Sequence, residues 1–543
     1  MPILDKVKPI IDYPRWRQPA PTLNAHAAGS AICFDKRNDN SRHPLLYQLV
    51  SAAVLNAYDP RQDGWSFVGN PGLSAFGAGS CAVFCPSQGV RGTLGSGSTS
   101  TSIVVGSVLT AVIAGQLTGN RIRMIGNNNA GSCGRIEERM IIGNSAGTSP
   151  TIYLDSPLSY SYISGDAFEI HSGRVYMLGT TAGATQLRYY DTIYQTLTSA
   201  GNTTLTIAVD SEMVCLDEDY VPYDRKPGEG LVVTSSSPAI TYDTGGIVKY
   251  CLQASAVGVG TVTGSAAGGD NNILANEYRN FQIRIVEDTT TPTAVGQRAT
   301  IASHTAGAAS PLIVYTLGAN WGVRPSNNAK YVIENPNVIL LFAQAAGTTI
   351  YTYNPTPATI NNGTNTITTG AFSTPYFGVR GSAVGAGTFY LPSWSHEPVL
   401  NADGTKQSRH SFIYSIRGGG GTQIDMLDIA GGTTGAWTNA LAYIGQQTAF
   451  NTASCGNMAP FDQNGMYGYC ILNATNNMYR FDIKNRIMWP WKQLPVQSGA
   501  AAVGGRVEII PYMTTGNSPT DKVSLVFVNS HLSTVMYRAE VIS

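Results

Sequence analysis

The chain has 543 residues, in which 34 Lys and Arg balance 34 Asp and Glu and charged residues make up only 13%. Soluble domains average about 25% charged residues, and the even balance excludes a protein whose affinity comes mainly from neutralising phosphates. A 43% apolar share excludes wholesale disorder. With 59 Gly and so few charges, short strands and tight turns are favoured over helices, whose surfaces need Glu, Lys and Arg. The expectation is an all-β protein.

The N-terminus, Met1 to Pro9, has no apolar h-region, so no secretory signal is read there, and no run of 18 apolar residues follows anywhere. The expectation is synthesis in the cytoplasm and no membrane span. Residues 1–30 set Lys6, Lys8, Arg15 and Arg17 among Pro9, Pro14, Pro19 and Pro21, a composition for extended chain. Ile10, Ile11, Tyr13, Trp16 and Leu23 are apolar anchors for a contact between subunits; the alternative is an arm free in solvent.

From residue 31 onward one pattern recurs: an apolar strand, a turn, then a second strand ending in Tyr-Asp or similar, often with Trp beyond. It reads Leu45 to Val54 with Tyr58-Asp59 and Trp65, then Arg174 to Leu178 with Tyr189-Tyr190-Asp191. It returns at Val338 to Phe342 with Tyr353-Asn354, and at Phe412 to Tyr414 with Asp428 and Trp437. The last two copies are Tyr467 to Ile471 with Phe481-Asp482, Trp489 and Trp491, and Val523 to Phe527 with Tyr537. This resembles the kelch-type blade of a β-propeller, although the kelch Gly-Gly doublet is mostly absent from its usual place. The resemblance implies four-stranded sheets packed face to face, with aromatics filling the wedge between blades.

A second, longer repeat separates the early copies. Asn120 to Ile125 is echoed by Phe281 to Val286, Gly134-Arg135 by Gln297-Arg298, Met140-Ile141-Ile142 by Ala299-Thr300-Ile301, and Phe168-Glu169-Ile170 by Tyr331-Val332-Ile333. The offset stays near ~160 residues, so a blade and an inserted β-module of roughly 85 residues have duplicated together. The chain divides into an arm (1–30), blades (31–84), a first inserted module (85–173), blades (174–252), a second module (253–336) and final blades (337–543). Without the arm and inserts about 340 residues remain, which at ~50 per kelch unit makes six or seven blades.

Residues for chemistry are sparse. None of the seven His lies in a metal-binding pair, and no activated serine or phosphate loop is present; Arg417 to Thr422 reads as a hairpin connection. Cys81 and Cys85 lie four apart, on one face of a strand, as small core side chains. Asp217-Glu218-Asp219 with Asp224 is the densest acidic cluster; a solvated loop, a calcium loop and catalytic carboxylates all fit it. Glu137-Glu138-Arg139 reads as a surface charge pair. Trp489 and Trp491 follow the blade pattern and read as packing. Trp394 falls outside that pattern and suits either packing or stacking on a sugar. No catalytic residue, cofactor or metal is assigned.

A large, neutral, β-rich chain of repeated blades, appended modules and an arm is similar to structural proteins of tailed-bacteriophage virions, in particular the nozzle or hub subunits of short-tailed phages. That likeness implies a homo-oligomeric ring, six-fold among the options, in the virion tail. It also implies contacts to a portal adaptor or tail fibres, and passage of DNA without sequence-specific binding. A head fibre or glycan-binding receptor protein is the alternative, and a carbohydrate-active propeller enzyme the second. The shortage of charge then fits surfaces covered by neighbours.

Overall fold

In the computed structural model the following residues are described: 18–25, 30–35, 45–50, 54–60, 62–73, 80–85, 89–107, 109–126, 136–171, 173–181, 184–203, 211–216, 231–233, 240–242, 247–265, 275–276, 278–279, 281–307, 312–334, 339–342, 350–353, 372–373, 387–391, 412–416, 423–428, 437–443, 467–471, 477–482, 487–494, 506–514, 522–529 and 534–541. They are strands and turns, with one 3₁₀ turn at Pro292–Ala294. No helix among them is long and apolar enough to cross a membrane.

The first sheet holds β1 (Ala31–Phe34), β2 (Leu46–Val50), β3 (Val54–Asp59) and β4 (Gly64–Gly69) in that order. The second begins with β5 (Cys81–Cys85), and a six-stranded sheet then intervenes, curled so that the single Leu94–Val105 bridge joins its edges and called barrel one below. That barrel consists of β6 (Gly89–Thr93), β7 (Ser102–Val104), β8 (Arg121–Ile125), β9 (Ile136–Asn144), β10 (Thr151–Leu154) and β11 (Ala167–His171). The second sheet resumes with β12 (Arg174–Thr181), β13 (Ala184–Asp191) and β14 (Thr196–Thr203).

The third sheet repeats the plan. It starts with β15 (Glu212–Cys215), after which come a hairpin, β16 (Leu231–Val233) and β17 (Ile240–Tyr242), and a second barrel. This barrel comprises β18 (Ile247–Val257), β19 (Thr261–Gly264), β20 (Gln282–Glu287), β21 (Arg298–His304), β22 (Val314–Leu317) and β23 (Lys330–Glu334). The sheet continues with β24 (Ile339–Phe342), β25 (Ile350–Tyr353) and β26 (Phe372–Ser373). A fourth sheet follows: β27 (Gly387–Leu391), β28 (Phe412–Ile416), β29 (Gln423–Asp428) and β30 (Trp437–Tyr443). The fifth holds β31 (Tyr467–Ile471), β32 (Asn477–Asp482) and β33 (Ile487–Gln493), and the sixth β34 (Arg506–Thr514), β35 (Lys522–Asn529) and β36 (Met536–Val541).

Strand β5 shows why these sheets pack face to face. Its sequence, Cys-Ala-Val-Phe-Cys, is apolar throughout because both faces are buried. Ala82 and Phe84 join Ala31, Cys33, Tyr47 and Leu49 of the first sheet. Cys81, Val83 and Cys85 join Met213, Cys215, Ile339 and Leu341 of the third. The two cysteines therefore share one face, as their spacing predicts. Beyond the third sheet, Thr388 Oγ1 on β27 donates to Glu212 on β15 at 2.7 Å, and the rings of Tyr414 and Phe481 link the fourth and fifth sheets edge to face at 5.4 Å. Strand β31 touches β34, and β34 touches β1. Ile32, Phe34, Leu46 and Tyr58 of the first sheet bury Met536 of the last.

The two barrels have one strand order. In barrel two β18, β23, β20, β21, β22 and β19 close on themselves; in barrel one the order is β6, β11, β8, β9, β10 and β7, with the Leu94–Val105 bridge joining its ends. Both barrels lie in the same connection of their sheets, between the first strand and the second. The ladders correct the sequence pairing at one place. Arg121 pairs with Met140, and Gln282 with Thr300, so Met140 matches Thr300 rather than Ala299. Arg298 accordingly stands where Glu138 does, not where Arg135 does. A slip of one residue in a strand exchanges the two faces, so the difference decides which side chains point out.

Candidate functional site: the seam between the barrels

Alternation on β8 sends Ile122 and Met124 into the core of barrel one and Arg123 and Ile125 outward; on β11 Phe168 and Ile170 point in, Ala167 and Glu169 out. The outward set is nonetheless covered, with Ile125 and Ala167 at 1% and 0% exposure and Arg123 and Glu169 at 3% and 4%. Barrel two covers it. Ile125 and Ala167 belong to the same apolar cluster as Ile283, Tyr315 and Ile333, and Glu169 lies 4.0 Å from Arg298. Gln282 and Arg284, which point outward from β20, are buried as well.

Register places the charges in rows. Across β11, β8 and β9 run Glu169, Arg123 and Glu138; across β23, β20 and β21 run Val332, Arg284 and Arg298. In barrel one Arg123 Nε donates to Glu138 Oε1 at 2.6 Å, and Arg121 adds a 3.5 Å ion pair to the same carboxylate. In barrel two, two arginines stand abreast, and Glu169 of barrel one lies 4.0 Å from one of them, Arg298. Buried charge is tolerated only when paired, so this arrangement selects barrel one as the partner of barrel two.

The reading of Glu137-Glu138-Arg139 as a surface charge pair is corrected here. Glu138 lies in the row beside Arg123. Glu137 is 7% exposed and accepts the Ser159 and Tyr160 backbone N–H groups at 2.9 and 3.0 Å, besides an Arg139 Nη2 contact at 2.6 Å.

Barrel one is also fixed to its own sheet. Arg174, the first residue of β12, is buried, donates to Asp191 at 2.9 Å and lies 4.6 Å over the Tyr189 ring. The other oxygen of Asp191 accepts the N–H groups of Ile193 and Tyr194 at 3.0 and 3.1 Å, so the acid ending β13 shapes the turn that follows. That turn inserts Ile193 into the barrel core, and Gln116 Nε2 donates to the Ile193 carbonyl at 2.6 Å. Gly173, at φ +79° and against the Phe84 ring, carries the chain from the barrel back to the sheet.

Asn144 of barrel one and His304 of barrel two occupy equivalent positions and make equivalent bonds. Asn144 Oδ1 accepts Leu117 N–H at 2.8 Å and its Nδ2 donates to the Ser145 carbonyl at 2.8 Å. His304 Nε2 accepts Tyr278 N–H at 2.8 Å, which leaves Nδ1 as the donor to the Thr305 carbonyl, also at 2.8 Å. The imidazole is neutral in this role. Burial, against the opposing hydrogen bond to Thr305, holds its pKa below the usual imidazole value.

Gln18 to Ala25 of the arm are stitched to the first and last sheets of their own chain. Thr22 N–H donates to the Thr534 carbonyl at 2.7 Å, Ala20 N–H to Asp63 at 2.9 Å, and Trp65 Nε1 to the Ala20 carbonyl at 3.1 Å. Partial burial opposes the charge on Asp63, but bonds from Tyr58 and Ala20 and the nearby Arg538 outweigh it and lower its pKa. Leu23 is exposed. The proposed arm anchors Ile10, Ile11, Tyr13 and Trp16, the acidic cluster Asp217 to Asp224, and Trp394 lie outside the described residues. Trp491 packs edge to face on Tyr469 at 4.7 Å, as its place in the repeat suggests.

The sequence did not single out Arg123, Glu169, Arg298 or His304. Charges alternating with Ile and Met on a strand ordinarily mean a wet face; only the correctly registered echo, with Arg298 opposite Glu138, signals that one barrel supplies what the other lacks.

No family model matches the chain, and no curated protein matches it. Among solved structures, the crystal structure of Saccharomyces cerevisiae Sqt1 aligns over 96% of this chain and 98% of its own, at 9% identity and a TM-score of 0.31. A structural-genomics protein of unknown function from Bacteroides thetaiotaomicron aligns over 84% of this chain and 96% of its own, at 10% identity and a TM-score of 0.18. At such scores neither likeness carries an argument about fold or function.

Proposed function

We propose that the six sheets are the blades of a six-bladed, kelch-like β-propeller, and that the chain is a structural subunit of a tailed-phage virion. It would serve as a nozzle or hub assembled as a homo-oligomeric ring. Support for the propeller is the succession of contacts that passes from sheet to sheet and returns from β34 to β1. The structural role rests on one observation: charge buried between modules is spent on fastening one to the other, Glu169 to Arg298 across the seam. In a ring the barrels and the arm would meet neighbouring copies, a portal adaptor or tail fibres, and a wall without net charge would let DNA slide past.

Electron microscopy of the purified full chain tests this reading. Rings of six or twelve copies are expected. Trimers would transfer the chain to the fibre or receptor-binding class, and monomers at micromolar concentration would overturn the assembly role.

A further inference from the structure

The seam uses one side of each barrel, and the opposite side has a different character. Opposite β8 and β11 stand β7 and β10; opposite β20 and β23 stand β19 and β22. On the far side of barrel one Val104, Thr151 and Tyr153 point outward, flanked by Ile142 on β9 and by Ile113, whose carbonyl accepts from Asn144. Tyr153, Ile142 and Ile113 are 46%, 58% and 72% exposed. On the far side of barrel two Ala256, Thr261, Thr263 and Thr316 point outward, because Val257, Val262 and Tyr315 between them fill the core. These outward side chains are uncharged, with the exposed Asp155 just past β10 and Arg324 on the Val257 carbonyl at their edges, whereas the seam side of the same barrels carries Arg121, Arg123, Glu169, Arg284 and Arg298.

We propose that these far sides are one interface between copies of this chain, barrel one of each copy seating on barrel two of the next. Three arguments commit the surface to that occupant. Covering uncharged side chains requires no ion to be desolvated, unlike an ordinary wet face. The two surfaces differ in relief: Tyr153, Ile142 and Ile113 project from barrel one, while barrel two presents small Ala and Thr side chains. The large side chains therefore fit the flat face rather than each other. The contact also continues one already present, since barrels of this strand order pair side to side within the chain, and a head-to-tail contact repeated by rotation closes a ring. The inference deepens the ring reading above and rests on it.

The test uses the full-length chain with Tyr153→Arg or Thr316→Arg, each checked for an unchanged melting temperature, and reads mass in solution by sedimentation. Wild type is expected well above the 57.6 kDa of one chain, and each variant alone at that mass. An equal mixture of the two variants should recover a dimer and nothing larger, because each retains the face that the other lacks. An oligomer that survives both substitutions overturns this interface and leaves the ring reading standing. Dissociation by Tyr153→Arg but not by Thr316→Arg also overturns it, in favour of barrel one against barrel one. A monomeric wild type overturns the ring reading and the interface together.

Discussion

Barrel one and barrel two share a strand order, and their cores correspond: Ile122 with Ile283, Ile141 with Ile301, Phe168 with Tyr331, Ile170 with Ile333. They part company on the outward face, where Glu138 and Glu169 in barrel one correspond to Arg298 and Val332 in barrel two and Tyr153 to Thr316. They also differ at one buried polar position, where Asn144 corresponds to His304. A packed interior tolerates only volume-conserving change, while outward positions are free to acquire a partner. After a duplication, then, the outside of each copy records which neighbour it came to face.

The seam is where the comparison breaks most easily. Glu169→Arg sets like charges together at a site where Glu169 and Arg298 are each less than a tenth exposed, and the expected loss is about 3–5 kcal/mol in a denaturant titration. Adding Arg298→Glu should recover most of it. The new carboxylate would then stand beside Arg284 as Glu138 stands beside Arg123, and would face the new arginine across the seam. Failure of the double variant to recover would mean that the rows do not act as a unit.

How far the sequence reveals this depends on the kind of side chain. Strands with a single buried face, or with apolar residues throughout, announce themselves by period or by continuity, as β5, β12 and β24 do. The duplication is readable too, because core residues such as Ile122 and Ile283 recur in step. The seam is not, since its identity hangs on one residue of register between β9 and β21, across loops that differ in length between the copies. A face that another module covers late in the chain still carries Arg and Glu, the composition of a wet one. Turn chemistry falls between: the recurrent Tyr-Asp ending is visible, but only the bonds from Ile193 and Tyr194 show what Asp191 does there.

A second way to separate the barrels acts on one of them alone. Ile193→Ala removes the side chain that the second sheet lends to the core of barrel one, at an expected cost of about 2–5 kcal/mol. Gln116→Ala removes the bond to the same turn for about 1 kcal/mol. Hydrogen exchange should rise in β6 to β11 for both variants and stay unchanged in β19 and β22, on the far side of barrel two. Equal rises in the two barrels would show that the seam, rather than the sheet, holds barrel one in place.

The mildest substitution sharpens the comparison most. If Asn144 and His304 do one job, His304→Asn should cost less than about 1 kcal/mol, whereas His304→Ala strands the Tyr278 N–H and should cost about 1–3 kcal/mol. The wild-type residue adds a pH dependence that Asn cannot have. Its folded pKa lies below the ordinary 6.5, so as pH falls below that value the unfolded chain takes up a proton that the folded chain refuses. The contribution of His304 is thus complete above about pH 6.5 and declines toward its folded pKa. His304→Asn should flatten that part of the stability profile, and Asn144→His should add a second decline of the same sign in barrel one. Denaturation midpoints at pH 7.5 and pH 5 read both effects. A slope that persists in His304→Asn would assign the pH response to another group, and a costly His304→Asn would show that the two side chains are equivalent in place but not in work.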